Sequence, residues 1–124
     1  MKRVIQTEQA PGAIGPYSQA IRTDSLIITS GQLPINPSTG VLPVGIEAQT
    51  RQSLNNCKAI LEAANMTMHD VIKTTVYLND MDNFDAMNNV YATYFEGDFP
   101  ARSAFQVAKL PKDALVEIEC IAAC

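Results

Sequence analysis

Residues 99–124 read FPARSAFQVAKLPKDALVEIECIAAC, and the alternation in their second half decides the fold. Val116, Ile118, Cys120 and Ala122 fall on one side of a period-two run, and Leu115, Glu117, Glu119 and Ile121 on the other. Successive side chains leave a strand in opposite directions, so this pattern predicts a strand with one apolar, packed face and one mixed face. A second strand-like run covers 102–109, entered through Pro100, Ala101 and Arg102.

Upstream, VIKTTVYLND alternates in the same way and is rich in β-branched residues, which predicts a strand over 71–78. Its mixed face is expected to carry Val71, Lys73, Thr75 and Tyr77, with Ile72, Thr74, Val76 and Leu78 on the packed side. Ile46, Leu54, Cys57, Ile60, Leu61 and Ala64 recur at helical spacing, so 46–64 reads as a helix with Cys57 in its apolar stripe. A second helix is expected over about 82–96, capped by Asp82 or Asn83 and ended by Gly97, with Phe84, Met87, Tyr91, Tyr94 and Phe95 as its stripe. Short β-like runs lie at 19–23 and 26–30. The segments PGAIGPYS (11–18) and PINPSTGVLPVG (34–45) have the Pro and Gly content of loops.

The expected order is therefore β-β-α-β-α-β-β. Two helices can cover only one face of such a sheet, so the other meets water or another subunit. Its mixed character, with Glu117, Glu119 and Lys73 among apolar residues, suits a subunit interface containing polar pockets.

A chain of 124 residues suits one domain, taken as 1–124, and its composition is globular. A net charge of -4 with scattered basic residues argues against a general phosphate-backbone binder, so no nucleic-acid partner is expected. The opening MKRVIQTEQAPG lacks the apolar core of a signal peptide, and no run approaches the ~18 apolar residues of a membrane span. No membrane association is expected, and cytoplasm is the default location. The odd number of cysteines (Cys57, Cys120, Cys124) and the single histidine, His69, favour neither a zinc site nor a Ser–His–Asp site. His69, in the polar entry to a strand, is expected at the surface.

Four residues stand out chemically. Arg102, braced by Pro100, presents a fork of donors that matches a carboxylate as lysine cannot. Its plainer reading is an exposed arginine or an ion pair with a glutamate. Glu117 is either a solvated residue or a general base. Asn88 sits mid-helix on the side of Phe84, Tyr91 and Phe95, where a buried amide must find backbone or ligand partners. Tyr17 is either loop packing or part of a site.

GAIGPYSQA, TSGQLP, FPARSAFQVAKLP and VEIECIA together resemble the signature segments of the reactive-intermediate deaminase family, RidA or YjgF, over residues 3–123. The resemblance implies an α+β, chorismate-mutase-like fold: a mixed sheet with two helices on one face, in a homotrimer with a central β-barrel. It implies active sites in clefts between subunits, no metal or organic cofactor, and hydrolysis of 2-imino acids to 2-oxo acids and ammonia. By position, Arg102 would bind the substrate carboxylate and Glu117 would activate water. Tyr17, Ser30, Gly31, Asn88 and Ala104 would complete the binding site. The chain departs from many bacterial members at Ala104, where they carry cysteine, and in a shorter YFEGDFP loop. A backbone contact at Ala104 would survive that change. The alternative within the same cleft is a binding or regulatory module for 2-oxo or amino acids, which needs the arginine but no base.

A simple hairpin about LPKDA would set Arg102 opposite residue 122, leaving Glu117 roughly five residues, or ~16 Å, away along the strand. One small substrate could not touch both. Either the connection skips over a neighbouring strand, or a second subunit supplies one group.

Overall fold

The computed structural model describes residues 1–124 and contains one mixed six-stranded sheet and two α-helices. The strands are β1 (Lys2–Ile5), β2 (Ala20–Thr23), β3 (Leu26–Thr29), β4 (Val71–Leu78), β5 (Ala101–Gln106) and β6 (Val116–Ala123). The helices are α1 (Ile46–Ala63), between β3 and β4, and α2 (Phe84–Tyr91), between β4 and β5. The strand β1 was not expected: its KRVI sequence is exposed and carries little burial signal, and it forms by pairing Val4 with Ile21 and Arg3 with Arg22 on β2.

Across the sheet the order is β1-β2-β3-β6-β4-β5. The last strand thus fills the centre, antiparallel to β3 and β4, and β5 lies parallel to β4 at the edge. No hairpin joins β5 and β6, because the connection crosses over β4.

The alternation read from β6 holds. Val116, Ile118, Cys120 and Ala122 are buried beneath the helices, and Glu117, Glu119 and Ile121 on the other face are half-buried. From α1 the core receives Leu54, Cys57, Ile60 and Leu61, and from α2 Met87 and Tyr91. Both helices cover one face, and the other has no covering layer within the chain.

The strand β4 departs from the expected alternation at its start. A bulge between Val71 and Lys73 leaves Val71 buried and Ile72 51% exposed, the reverse of a regular strand. An extra residue shifts side-chain parity by one, which local sequence does not reveal. Beyond it, Thr74, Val76 and Leu78 face the core as expected.

The second helix is shorter than its stripe suggested. Single 3₁₀ turns at Met81–Asn83 and Ala92–Tyr94 flank it. The capping side chain is Asp80, whose carboxylate accepts the Asp82 amide, and neither Asp82 nor Asn83 caps. The edge strand likewise ends at Gln106, short of the expected 109. His69 is exposed, in a 3₁₀ turn capped by Thr67.

Candidate functional site

On the helix-covered face, Thr74 of β4 pairs in register with Arg102 of β5 and Cys120 of β6. The Thr74 hydroxyl lies 2.7 Å from the Tyr91 hydroxyl of α2. Arg102 follows the same direction, with its guanidinium carbon 4.9 Å from the Tyr91 ring centroid and 5.4 Å from that of Phe84. Burial raises the Tyr91 phenol above its ordinary pKa, against the lowering pull of Thr74 and Arg102, so the ring stays neutral and offers the cation its π-face.

Asn88, one helical turn from both Phe84 and Tyr91, accepts a hydrogen bond from Arg102 Nη1 at 2.7 Å. The amide thus finds a side-chain partner instead of the backbone. The ion pair considered for Arg102 does not form: the chain's one salt bridge joins Lys109 and Asp113, both well exposed. A half-buried guanidinium held by two rings and an amide, with no counter-charge, keeps most of its five donors for a ligand. Asn88, Tyr91, Phe99, Pro100 and Arg102 line an open cavity of about 420 Å³ there. Sequence reading assigned Phe84 and Tyr91 to the core alone. Their shared side with Asn88 was read from the spacing; what no local signal showed is that the start of β5 brings Arg102 onto that side.

On the opposite, uncovered face, Tyr77 of β4 pairs with Phe105 of β5 and Glu117 of β6. The Glu117 carboxylate is half-buried, and burial is the first cause of its raised pKa, followed by repulsion from Glu119. Glu119 accepts the Tyr77 hydroxyl at 2.8 Å, and burial and that carboxylate push the phenol up to about 12.

Gly31 touches Glu117 directly. A Cβ built there would collide with the carboxylate, lying 2.9 Å from Cδ. Between the Ile28–Ile121 pairing and the Gln32–Ile118 bridge, the first strand advances four residues and β6 three, so Ser30 and Gly31 sit in a bulge. On the β2 side the Ser30 amide continues the regular register and donates to the Gln19 carbonyl at 2.8 Å, and the Ser30 hydroxyl donates to the Ser18 carbonyl. Tyr17 is half exposed, and its hydroxyl accepts the Ile14 amide at 3.4 Å. Tyr17, Gly31 and Lys112 share the wall of a second cavity, also about 420 Å³.

Of the expected site residues, then, Arg102 and Asn88 form one group, and Tyr17, Ser30, Gly31 and Glu117 another. Ala104, two residues on from Arg102, shares its face of β5, half-buried against the core and level with Val76. Within one chain the two groups do not meet. His69 lines neither cavity and sits in a groove with Arg51 and Lys58. No three His, Cys, Asp or Glu side chains converge to hold a metal, and no helix is long and apolar enough to cross a membrane.

Residues 7–124 match the family model described as Endoribonuclease L-PSP. A protein of Pyrococcus horikoshii named as a RutC family protein is 58% identical over 123 residues, covering 98% of each chain. A 2-iminobutanoate/2-iminopropanoate deaminase of Escherichia coli K12 is 50% identical over 125 residues, again covering 98% of each. The crystal structure of E. coli TdcF with bound serine superposes with a TM-score of 0.96 at 46% identity, covering 98% of both chains.

Proposed function

We propose, for a chain that belongs to the YjgF/RidA (Endoribonuclease L-PSP) family, the hydrolytic deamination of small 2-imino acids to 2-oxo acids and ammonia. The observation that carries this reading is the Arg102 guanidinium, oriented by Asn88 and without a carboxylate partner. Such a group binds a planar carboxylate through two parallel hydrogen bonds and fixes the adjacent C=N carbon in place.

Glu117 supplies the base. As a water oxygen bonds to the imine carbon, the carboxylate takes one of its protons, the C=N π-pair moves to nitrogen, and Glu117 passes that proton on to it, giving a neutral carbinolamine. In the collapse Glu117 takes the hydroxyl proton as the C=O bond forms and the C–N bond breaks, and delivers it to the departing nitrogen, which leaves as ammonia. A carboxylate whose pKa burial has raised is a stronger base, and general-base assistance is worth ~10²–10⁴-fold.

Because the two groups lie on opposite faces of one sheet, the complete site joins Arg102 of one copy to Glu117, Gly31 and Tyr17 of another. A homotrimer with its three uncovered sheet faces turned inward as a barrel, in the chorismate-mutase-like manner, provides such clefts. The ribonuclease activity in the family's name finds less support, given the acidic charge and one exposed histidine apart from both cavities.

A second reading, a binding module for amino or 2-oxo acids, is favoured by the serine-bound state of the TdcF relative. The deciding experiment generates 2-iminopropanoate in situ with an amino-acid oxidase or a dehydratase and follows pyruvate formation. Acceleration above the buffer rate by wild type, lost in Glu117→Gln, supports deamination. A rate equal to buffer, with an oxo acid still bound, supports the module.

A further inference from the structure

Residues 11–17 have no regular secondary structure, yet they carry Tyr17 and form a wall of the cavity beside Gly31. What holds this loop is unusually concentrated. Gln19 is 3% exposed, and its Nε2 donates to the carbonyl oxygens of Thr7 (3.0 Å), Ala10 (3.3 Å) and Pro11 (2.8 Å). Its Oε1 accepts the Thr7 amide at 2.8 Å. Two N–H bonds are thus shared among three carbonyls. The Gln19 carbonyl meanwhile accepts the Ser30 amide, one residue before Gly31.

No other hydrogen bond joins residues 7–17 to the rest of the chain. The remainder are internal: Gln9 to Thr7, Tyr17 to Gly15, and Ile14 to the Tyr17 hydroxyl. Ala10 adds apolar packing, since it belongs to the buried core, but a methyl group cannot set the direction of the flanking backbone.

We infer that Gln19 is a positioning residue for the active site: its buried side-chain amide fastens the entry of the Tyr17 loop at Thr7, Ala10 and Pro11, and its own main-chain carbonyl ties the exit of the loop to the Ser30 amide of the bulge. Tyr17 and Gly31 are then held in one frame before substrate arrives. The inference rests on the deaminase reading and assigns Gln19 no contact with substrate.

The test is Gln19→Glu, which keeps the shape and replaces the NH₂ by oxygen. Once ionised, the new carboxylate faces three carbonyl oxygens; once protonated, it regains one donor. The kcat/KM of the variant relative to wild type should fall by about 10²-fold near pH 8, the scale of a misplaced group, and climb as pH is lowered. Amide exchange at Ile14 and Tyr17 should quicken in the variant under the same conditions. A merely structural glutamine would lower Tm and leave that ratio near one at every pH, which overturns the inference. Unchanged exchange across residues 11–17 overturns it as well.

Should Gln19→Glu fail to fold, the unmodified protein decides. The Thr7 amide, whose one partner is Gln19 Oε1, must be protected at a level near that of the Ser30 amide, and unprotected exchange refutes the fastening. If wild type shows no turnover, the deaminase reading falls by itself, and the exchange data still settle whether Gln19 fixes the loop.

Discussion

The Arg102 guanidinium and the Glu117 carboxylate leave one sheet from opposite faces. Arg102 lies level with Thr74 and Cys120 beneath the helices, whereas Glu117 lies level with Tyr77 on the uncovered side. Three residues of register and the intervening strand β4 separate them. A substrate of a few atoms cannot bridge that distance around the sheet edge, which is why the proposed site takes its two groups from two copies.

Mixing two inactive variants should therefore restore activity. In a 1:1 mixture of Arg102→Ala and Glu117→Gln chains, unfolded and reassembled together, each cleft draws one group from each neighbour. About a quarter of the clefts then carry both intact residues, and about a quarter of wild-type kcat should return. A mixture no more active than its parents would show that both groups serve from a single chain. Sedimentation of wild type should give three times the 13.5 kDa chain mass.

Changing Asn88 should act through the guanidinium. Asn88→Ala frees Arg102 to wander and should raise KM by about tenfold, the scale of one hydrogen bond to a charged group. Asn88→Asp should raise it further, since a carboxylate 2.7 Å from Nη1 competes directly with that of the substrate. Steady-state kinetics on the in situ imine would contradict this if Asp proved milder than Ala.

At Gly31 the constraint is space and not backbone freedom, because its φ lies outside the left-handed region. Gly31→Ala should fold and still bind a 2-oxo acid, but the new methyl displaces the Glu117 carboxylate. A loss of kcat of about 10²–10⁴-fold is expected, the full value of a general base. Calorimetric titration beside turnover separates the two effects.

The raised pKa of Glu117 links activity and stability with opposite signs. As a base it must be ionised, so kcat should fall as pH drops through its raised pKa. For stability, a carboxyl whose folded pKa exceeds its unfolded one binds more protons in the fold, and stability declines as pH rises between the two values. Glu117→Gln, which carries no charge, should therefore melt slightly higher than wild type at neutral pH. The gain should be at most a few degrees, since the group is half in water and ~1 kcal/mol moves a domain of this size by about that much. The two curves should meet below about pH 4, where Glu117 is protonated in both states. A variant that melts lower at neutral pH would mean the carboxylate makes net favourable contacts.

Five of the six strands and both helices were legible, because period two in 116–122 and helical spacing in 46–64 are consequences of local backbone geometry. The short strand β1 escaped, since KRVI is exposed and gains its conformation only from β2. The bulge that buries Val71 and exposes Ile72 escaped for a related reason: parity is set by pairing with β6, not by residues 71–73 themselves.

For the site, the chain's own letters singled out Arg102, Asn88, Glu117 and Tyr17, through charge in a strand, an amide in a helix and a Pro–Gly loop. Which residues stand together was decided by strand order. Placing β4 between β5 and β6 set Arg102 apart from Glu117 and under α2. Pairing β6 beside β3 put Glu117 next to Gly31, and the return of residues 7–11 onto Gln19 made the only polar knot that holds the Tyr17 loop. Periodicity fixes which face of an element is apolar, since it depends on angles along one chain. Strand order and register depend on burial shared between distant segments, and no local pattern records that.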